Sequence, residues 1–293
     1  MTERWADHDD TGTGDVFHAL HTGLTVELIS TKRPQLMTCA PHEALPDVMA
    51  RNTEPYDFLP VVAPGDGERD RIVGLFNAAK FFDERPADGR IEQHYAPLSE
   101  DYLIGADASI LNFVMDADEK PFRLVISGAS IVGLVSLSDL QKLPVRAALF
   151  ALITGFEIAM FEAIERGCPN DDDWKRHLSD GRRTRIDEEI QQSHEGDGFV
   201  DALLFTQFCD KSDILARGFQ LPHSKTVFRK KLDQIQALRD NLAHANEYAA
   251  SPDQARHVCT VVRDLLALRE SIMAMDRRDS DVAGICAKRQ GAA

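Results

Sequence analysis

The residues of this sequence best suited to do chemistry are an arginine and a histidine five positions apart, Arg239 and His244. Both lie in a stretch, residues 225–249, whose apolar residues recur at helical spacing and predict a long helix. Arginine offers a permanent charge and a planar fork of donors that fits phosphate oxygens. Histidine gains and loses a proton near neutral pH. Together they could act on a phosphodiester bond without a metal ion.

The position of the two side chains on one helix limits how they could cooperate. Successive residues of an α-helix are rotated by 100°, so a step of five residues separates two side chains by about 140°. Arg239 and His244 could meet one substrate if the helix bends or lies across a cleft between two chains. The competing interpretation is a solvated helix end with a capping histidine.

The segment LRDNLAHA, residues 238–245, resembles the Arg-x4-His signature of HEPN domains, all-helical modules found in many metal-independent ribonucleases. The resemblance covers about 144–278. It implies that Arg239 and His244 are catalytic and that Asp240 orients one of them or caps the helix. It also implies a homodimer with its active cleft at a two-fold axis, and no cofactor for catalysis.

The front half of the sequence contains an internal repeat with an offset of 59 residues, because IVGL occurs at 72–75 and again at 131–134. Each copy has a helix, two short strands rich in Val and Ile, and another helix, which predicts an α+β fold. The predicted segments are 42–52, 56–62, 71–76 and 77–82 in the first copy, and 109–118, 121–127, 130–136 and 137–143 in the second.

This pattern resembles a tandem pair of CBS domains, at about 24–83 and 97–143. In the second copy Gly133, Ser136 and Asp139 match the family's Gly-h-x-Ser/Thr-x-x-Asp adenosine-binding motif. The resemblance implies that Asp139 accepts hydrogen bonds from the ribose hydroxyls and that Ser136 donates near the phosphate. The regulatory ligand would be AMP, ADP, ATP or a related adenine nucleotide. The alternative is that Ser136 and Asp139 cap a helix.

The first copy departs from this motif, since Asn77 and Lys80 stand where the second copy has Ser136 and Asp139. A lysine cannot accept a hydrogen bond from ribose. One nucleotide site per chain is therefore expected, although Lys80 could reach a phosphate. Arg123 is a candidate phosphate contact, with a surface arginine as the alternative.

The rear half predicts five helical segments. Glu157 interrupts the apolar pattern of the first of them, and could be solvated, the favoured interpretation, or could hold Arg239 in position. The polar cluster of Asp210, Lys211 and Asp213 is interpreted as a cap between helices rather than as part of a site.

The net charge of −15 is uneven along the chain. Residues 1–145 carry 24 acidic and 12 basic side chains, whereas residues 146–293 carry 24 acidic and 21 basic ones. Only the rear half could approach RNA without strong repulsion. Because even that half is not basic, a small or shaped RNA such as tRNA fits better than a long duplex.

The cysteines indicate a reducing compartment. Five of them are present, with no metal-site spacing, so neither a disulfide framework nor a zinc site is expected. The polar, acidic N-terminus resembles no targeting segment. The longest apolar stretch, 147–161, is interrupted by Glu157 and is too short to span a bilayer. These features predict a soluble, cytoplasmic protein with no membrane partner and no metal site.

Taken together, these patterns predict an α+β tandem CBS pair, 24–143, followed by an all-α HEPN helical bundle, 144–278. A disordered or loosely attached lead, 1–23, precedes them and a tail, 279–293, follows. The expected function is a nucleotide-regulated, metal-independent endoribonuclease that leaves a 2′,3′-cyclic phosphate. The alternatives are a non-catalytic, nucleotide-responsive dimer that binds a protein or RNA, and a toxin controlled by an antitoxin protein.

Overall fold

A computed structural model describes residues 22–65, 70–83, 88–195, 201–219 and 224–290, with side chains up to residue 274. The chain divides between Val145 and Arg146 into two compact units, called here the front unit and the rear unit. The lead predicted over 1–23 lies outside the described residues except for its last two positions.

The described residues of the front unit form two small sheets. The strands are β1 (Thr31–Lys32), β2 (Phe58–Ala63), β3 (Arg71–Asn77), β4 (Tyr95–Pro97), β5 (Leu103–Gly105), β6 (Phe122–Ser127) and β7 (Ser130–Ser136). One sheet has the order β2-β3-β4 and the other the order β1-β7-β6-β5. All pairs are antiparallel except the parallel pair of β5 and β6.

The internal repeat is confirmed in the backbone. The helices α1 (Leu45–Arg51) and α2 (Ile110–Asp116) precede the hairpins β2–β3 and β6–β7. Both hairpins shift register at the same place in the copy, between Val61 and Val62 and between Val125 and Ile126. The final helix of each copy is a short 3-10 helix, Ala78–Phe81 or Leu137–Gln141.

The glycine of the repeated IVGL makes room for an extra strand. A Cβ atom on Gly133 would lie 2.5 Å from the carbonyl oxygen of Thr31 in β1. A Cβ atom on Gly74 would collide with the carbonyl oxygen of Ala96 in β4. Each IVGL strand can therefore be an inner strand of its sheet because its glycine lets a neighbouring backbone approach closely.

The two sheets of the front unit share an apolar core. Ile72 and Leu75 of β3 pack with Phe122 and Leu124 of β6. The rings of Phe58 and Phe122 are 3.7 Å apart between centroids. This burial of strand side chains from both copies explains why the two copies form one compact unit.

The rear unit is helical. Its helices are α3 (Leu143–Gly167), α4 (Asp171–Lys175), α5 (Asp180–Glu195), α6 (Phe208–Gly218), α7 (Lys225–Ala243) and α8 (Pro252–Gln290), with a 3-10 helix at Ala202–Phe205. Among the described residues the rear unit thus has six α-helices where five helical segments were predicted, and α8 continues past residue 278, the predicted end of the domain. Helix α7 begins where Ser224 Oγ accepts a hydrogen bond from the Val227 N–H.

Helix α3 is the apolar helix of the rear unit. By length and composition alone it could cross a membrane, but 56% of its most apolar part is buried within the protein. The helix extends beyond the predicted apolar stretch 147–161 at both ends. The buried face and the ion-paired Glu157 described below fit a core helix of this unit.

Candidate functional site

Arg239 is held by a carboxylate from another helix. It lies on α7 with 39% of its side chain exposed, and its Nε is 3.5 Å from Oε2 of Glu157 on α3. Its Nη1 is 3.7 Å from Oδ1 of the neighbouring Asp240. Two carboxylates therefore limit the directions in which the guanidinium can point.

Glu157 is itself fixed by a buried lysine. Lys211 of α6 has only 7% of its side chain exposed, and its Nζ is 3.2 Å from Glu157 Oε1. The same Nζ donates to the carbonyl oxygen of Thr206 at 2.8 Å. The interpretation of Glu157 as a solvated residue was wrong, because a buried ammonium group needs a nearby opposite charge. The other interpretation, in which Glu157 faces Arg239, agrees with the structure.

The predicted cap between helices is present, although Lys211 is not part of it. Asp210 accepts from the Gln207 N–H at 2.7 Å and from Arg182 Nε at 2.8 Å, so it closes the start of α6. Asp213 is ion-paired with arginines described below. Lys211, by contrast, is ion-paired with Glu157, which in turn contacts Arg239. These three residues come from helices that are distant in sequence.

His244 lies at the end of the helix and not within it. Helix α7 ends at Ala243, and His244 is its C-cap, with φ −93° and ψ 11°. Its N–H still donates to the carbonyl oxygen of Asp240 at 3.0 Å. The next residue, Ala245, has a φ of 55°, a left-handed conformation that stops the helix. The predicted continuation of the helix to residue 249 was therefore wrong.

The imidazole of His244 is exposed and makes no hydrogen bond with any residue that the structure describes. No hydrogen bond joins it to Arg239 within the same range. Because the backbone of His244 remains close to helical geometry, the angular separation of about 140° still applies. One chain therefore presents Arg239 and His244 on different sides of the end of α7.

The end of α7 is closed by an arginine that the sequence patterns did not single out. Arg146, in the first turns of α3, donates through Nη1 to the carbonyl oxygens of Asn241 (3.1 Å) and Leu242 (2.9 Å). Its Nη2 donates to the carbonyl oxygen of Asn246 at 2.6 Å. The guanidinium also lies 5.0 Å above the ring of Tyr248, whose pKa burial raises to about 12. The sequence contains no local signal for this contact.

In the front unit, Asp139 is already engaged. Its Oδ2 accepts from the Ser136 N–H at 2.6 Å and from Ser136 Oγ at 3.3 Å. Its Oδ1 is 2.8 Å from Lys142 Nζ, and only 9% of its side chain is exposed. Lys142 also donates to the carbonyl oxygen of Ile29 at 2.5 Å. The capping alternative is therefore present, and a ribose could reach Asp139 if it replaced Lys142.

Arg123 is buried, so its interpretation as a surface arginine was wrong. Its Nη2 is 2.6 Å from Asp116 Oδ2, and its Nη1 donates to the carbonyl oxygen of Lys120 at 2.8 Å. Burial lowers the pKa of Arg123, and Asp116 partly counteracts this effect. A phosphate contact by Arg123 stays a prediction that requires it to leave Asp116.

Three further residues belong to the two predicted binding motifs: Gly133, Lys80 and Asn77. Gly133 lies against β1, as described above, which gives it a structural role in addition to any role in binding. Lys80 is exposed on the 3-10 helix Ala78–Phe81. The Oδ1 atom of Asn77 is buried without a hydrogen-bond partner among the described residues.

No family model and no curated protein matches the sequence. Similar solved structures include the CBS domain of a bacterial CNNM/CorC family Mg²⁺ transporter in complex with ATP, with 21% identity and a TM-score of 0.35, covering 44% of this chain and 91% of that chain. A second is a hemolysin-like protein containing a CBS domain from Oenococcus oeni PSU, with 14% identity and a TM-score of 0.34, covering 42% of this chain and 94% of that chain. A third is the CBS domains of a transcriptional regulator from Streptococcus pneumoniae, with 14% identity and a TM-score of 0.33, covering 40% of this chain and 95% of that chain.

The similarity to CBS domains is a similarity of fold over somewhat less than half of the chain. The ATP bound in the first of these structures is a ligand of that transporter domain. The HEPN resemblance of the rear unit stays a prediction.

Proposed function

We propose that the rear unit is a metal-independent endoribonuclease and that the front unit senses an adenine nucleotide. The observation that carries the proposal is the arrangement at the end of α7. There Arg239 is half-exposed and fixed by Glu157, while His244 is exposed five residues further on. The proposal takes the HEPN resemblance of residues 238–245 as its starting point.

The chemistry follows from the two side chains. His244 removes the proton from the 2′-hydroxyl of the substrate or supplies one to the leaving 5′-oxygen. Arg239 stabilises the charge that builds on the phosphoryl oxygens. Such a donor typically contributes ~3–4 kcal/mol, and acid–base catalysis contributes roughly a hundredfold or more. The 2′-hydroxyl nucleophile yields a 2′,3′-cyclic phosphate and restricts the substrate to RNA.

Two chains are needed to complete the site. Because Arg239 and His244 leave α7 in directions about 140° apart, we infer that the substrate lies in a cleft between two copies. Each copy then supplies both residues. Asp240 is 52% exposed and next to Arg239, a position from which it can orient the guanidinium.

The nucleotide is proposed to bind at Asp139 and Ser136. An ionised carboxylate is a strong paired acceptor for a ribose diol. Because Lys142 lies at Oδ1 of Asp139, nucleotide binding exchanges this ion pair for hydrogen bonds from the ribose.

One observation favours the second candidate function, a non-catalytic dimer that responds to a nucleotide. Glu157 and Asp240 already neutralise the charge of Arg239, and a neutralised guanidinium attracts phosphate less strongly. In that case Arg239 would serve packing and His244 would have no role in proton transfer.

An RNA cleavage assay separates the two functions. Arg239→Ala and His244→Ala are incubated with total tRNA and with single-stranded RNA in EDTA, beside Arg256→Ala and His257→Ala on α8 as matched controls. We expect cleavage by the parent and the controls, and loss of cleavage in the two site variants. Equal cleavage by all five proteins, or loss of the parent's cleavage in EDTA, contradicts the mechanism.

A further inference from the structure

A group of cations lies where α4, α6 and α7 come together, and we call it the cationic cluster. It consists of Arg176, Arg217, Lys225 and Arg229. Arg217 donates to the carbonyl oxygen of His177 at 2.6 Å, which ties the end of α6 to the end of α4. Arg229 of α7 is 3.0 Å from Asp213 of α6.

The carboxylates within reach do not balance these cations. Asp213 is shared between Arg217 at 3.3 Å and Arg229 at 3.0 Å. Arg176 is 3.8 Å from Asp173. Lys225 has no ion pair or hydrogen bond with a described residue. Four cations therefore face two ion-paired carboxylates in an otherwise acidic protein.

His177, at the centre of the cluster, responds to this excess. Its pKa lies below the ordinary value of histidine because of its burial first and then because of Arg176, Arg217 and Lys225. The imidazole also accepts a long hydrogen bond from Arg176 Nε at 3.5 Å. A protonated His177 would add another positive charge to the cluster, so the surrounding cations disfavour the protonated ring and favour an anion from outside.

Two members of the cationic cluster, Lys225 and Arg229, lie on the same side of α7 as Arg239. At 100° per residue, Lys225, Arg229 and Arg239 fall within about 80° of the helix circumference. Lys225 and Arg239 are fourteen residues apart, which is about 21 Å at 1.5 Å per residue. A stacked nucleic-acid strand has one phosphate per roughly 3.4 Å, so about six nucleotides span this distance.

We propose that the cationic cluster binds the phosphate backbone of the RNA substrate about six nucleotides from the bond that is cleaved. The inference rests on the proposed function for its substrate, but its evidence is separate, since none of the four cluster residues acts in cleavage. RNA is favoured as the partner because the cluster offers arginine forks and a lysine side by side, which suits a row of phosphates.

Binding can be measured apart from cleavage. The probe is a fluorescein-labelled single-stranded RNA of 20 nucleotides, titrated in EDTA at several salt concentrations with the His244→Ala protein. Arg176→Gln and Lys225→Gln are combined in one variant, since these two side chains are the least engaged in ion pairs within the cluster. The matched control combines Arg185→Gln and Arg256→Gln, two exposed arginines in helical ion pairs elsewhere in the rear unit.

We expect the cluster variant to bind more weakly than the control by about tenfold at low salt. The slope of log affinity against log salt concentration should become less negative by about 1.4. Each of the two missing cations accounts for about 0.7 of this slope on a single strand. Identical affinities and slopes for the two variants, or no RNA binding by the parent, overturn the proposal. So does binding of poly-glutamate at the cluster in place of RNA, which would make the partner an acidic protein.

The outcome is distinguishable from that of the cleavage assay. A cluster variant that loses RNA binding supports the inference even if the parent protein does not cleave RNA. Normal cleavage by the parent together with equal binding by the two variants leaves the proposed function standing and rejects the cationic cluster as an RNA contact.

Discussion

The guanidinium of Arg146 closes the C-terminal end of α7, with its Nη1 2.9 Å from the carbonyl oxygen of Leu242. The last carbonyl groups of a helix have no partners within the helix and carry partial negative charge, so a cation at this position stabilises the helix end. His244 follows Leu242 by two residues. The position of the proposed proton-transfer group thus depends on a side chain from the first turns of α3.

Replacing Arg146 with methionine should lower the free energy of unfolding of the rear unit by about 2–3 kcal/mol, because the substitution removes charged hydrogen bonds to three carbonyl oxygens. Urea unfolding followed by the fluorescence of the buried Trp174, in a Trp5→Phe background, measures the change. Arg185→Met removes an exposed helical ion pair and should cost at most about 0.5 kcal/mol. Equal effects of the two substitutions would show that Arg146 does not hold the helix end.

Glu157→Gln should reduce the proposed RNase activity by about tenfold or more in kcat with little change in KM, because Arg239 loses the carboxylate that fixes its direction. It should also destabilise the rear unit by about 1–3 kcal/mol, since Lys211 keeps a buried charge without its partner.

The double variant Glu157→Gln with Lys211→Met separates these two effects. It removes the unpaired charge and should restore stability without restoring activity. If activity returns together with stability, Glu157 is a structural residue and not a positioning residue for Arg239.

The front unit should bind one adenine nucleotide per chain. Asp139→Asn should weaken binding, whereas Lys142→Met should strengthen it about two- to fivefold, on the order of 0.4–1 kcal/mol, because Lys142 no longer competes for Oδ1. Calorimetric titration with AMP, ADP and ATP measures the affinity and the stoichiometry. Two equivalent sites per chain, or weaker binding by Lys142→Met, would argue against ribose at Asp139.

Nucleotide binding should change RNA cleavage by about 5- to 150-fold, the usual range for coupling of two sites. Helix α3 begins at Leu143, directly after Lys142, so few residues separate the proposed nucleotide site from the rear unit along the sequence. A Gly-Ser insertion between Lys142 and Leu143 should keep nucleotide binding and basal cleavage while removing the response. A response that survives the insertion would show that the join does not transmit it.

Gly133→Ala should destabilise the front unit by about 1–3 kcal/mol, because its methyl group meets the backbone of β1. Gly181→Ala is a suitable control, since a Cβ atom at this position of α5 meets nothing within 4 Å and should be neutral or stabilising by up to about 1 kcal/mol. Thermal unfolding of both variants compares the two effects. An unchanged melting temperature for Gly133→Ala would mean that β1 moves aside without cost.

Local sequence patterns were enough to predict the two hairpins of the front unit and their repetition, but not the short strands β1, β4 and β5. Short runs of Val and Ile bounded by turn residues have few alternatives to a strand, and the second IVGL marks the same element of the second copy. The apolar face of α7 could also be predicted, since Phe228, Leu232 and Leu242 recur at helical spacing. These are local properties, set by periodicity and by the conformational preferences of each residue.

The contacts around the proposed sites, by contrast, arise only when the chain is folded. Glu157 was interpreted as solvated because its partners, Lys211 and Arg239, are 54 and 82 positions away along the chain. Arg146 gave no local signal for its role, since the carbonyl oxygens that it binds belong to a helix end about 95 residues later. Buried charges are paired wherever the fold brings opposite charges together, and packing of helices, which sequence spacing does not encode, decides which ones meet.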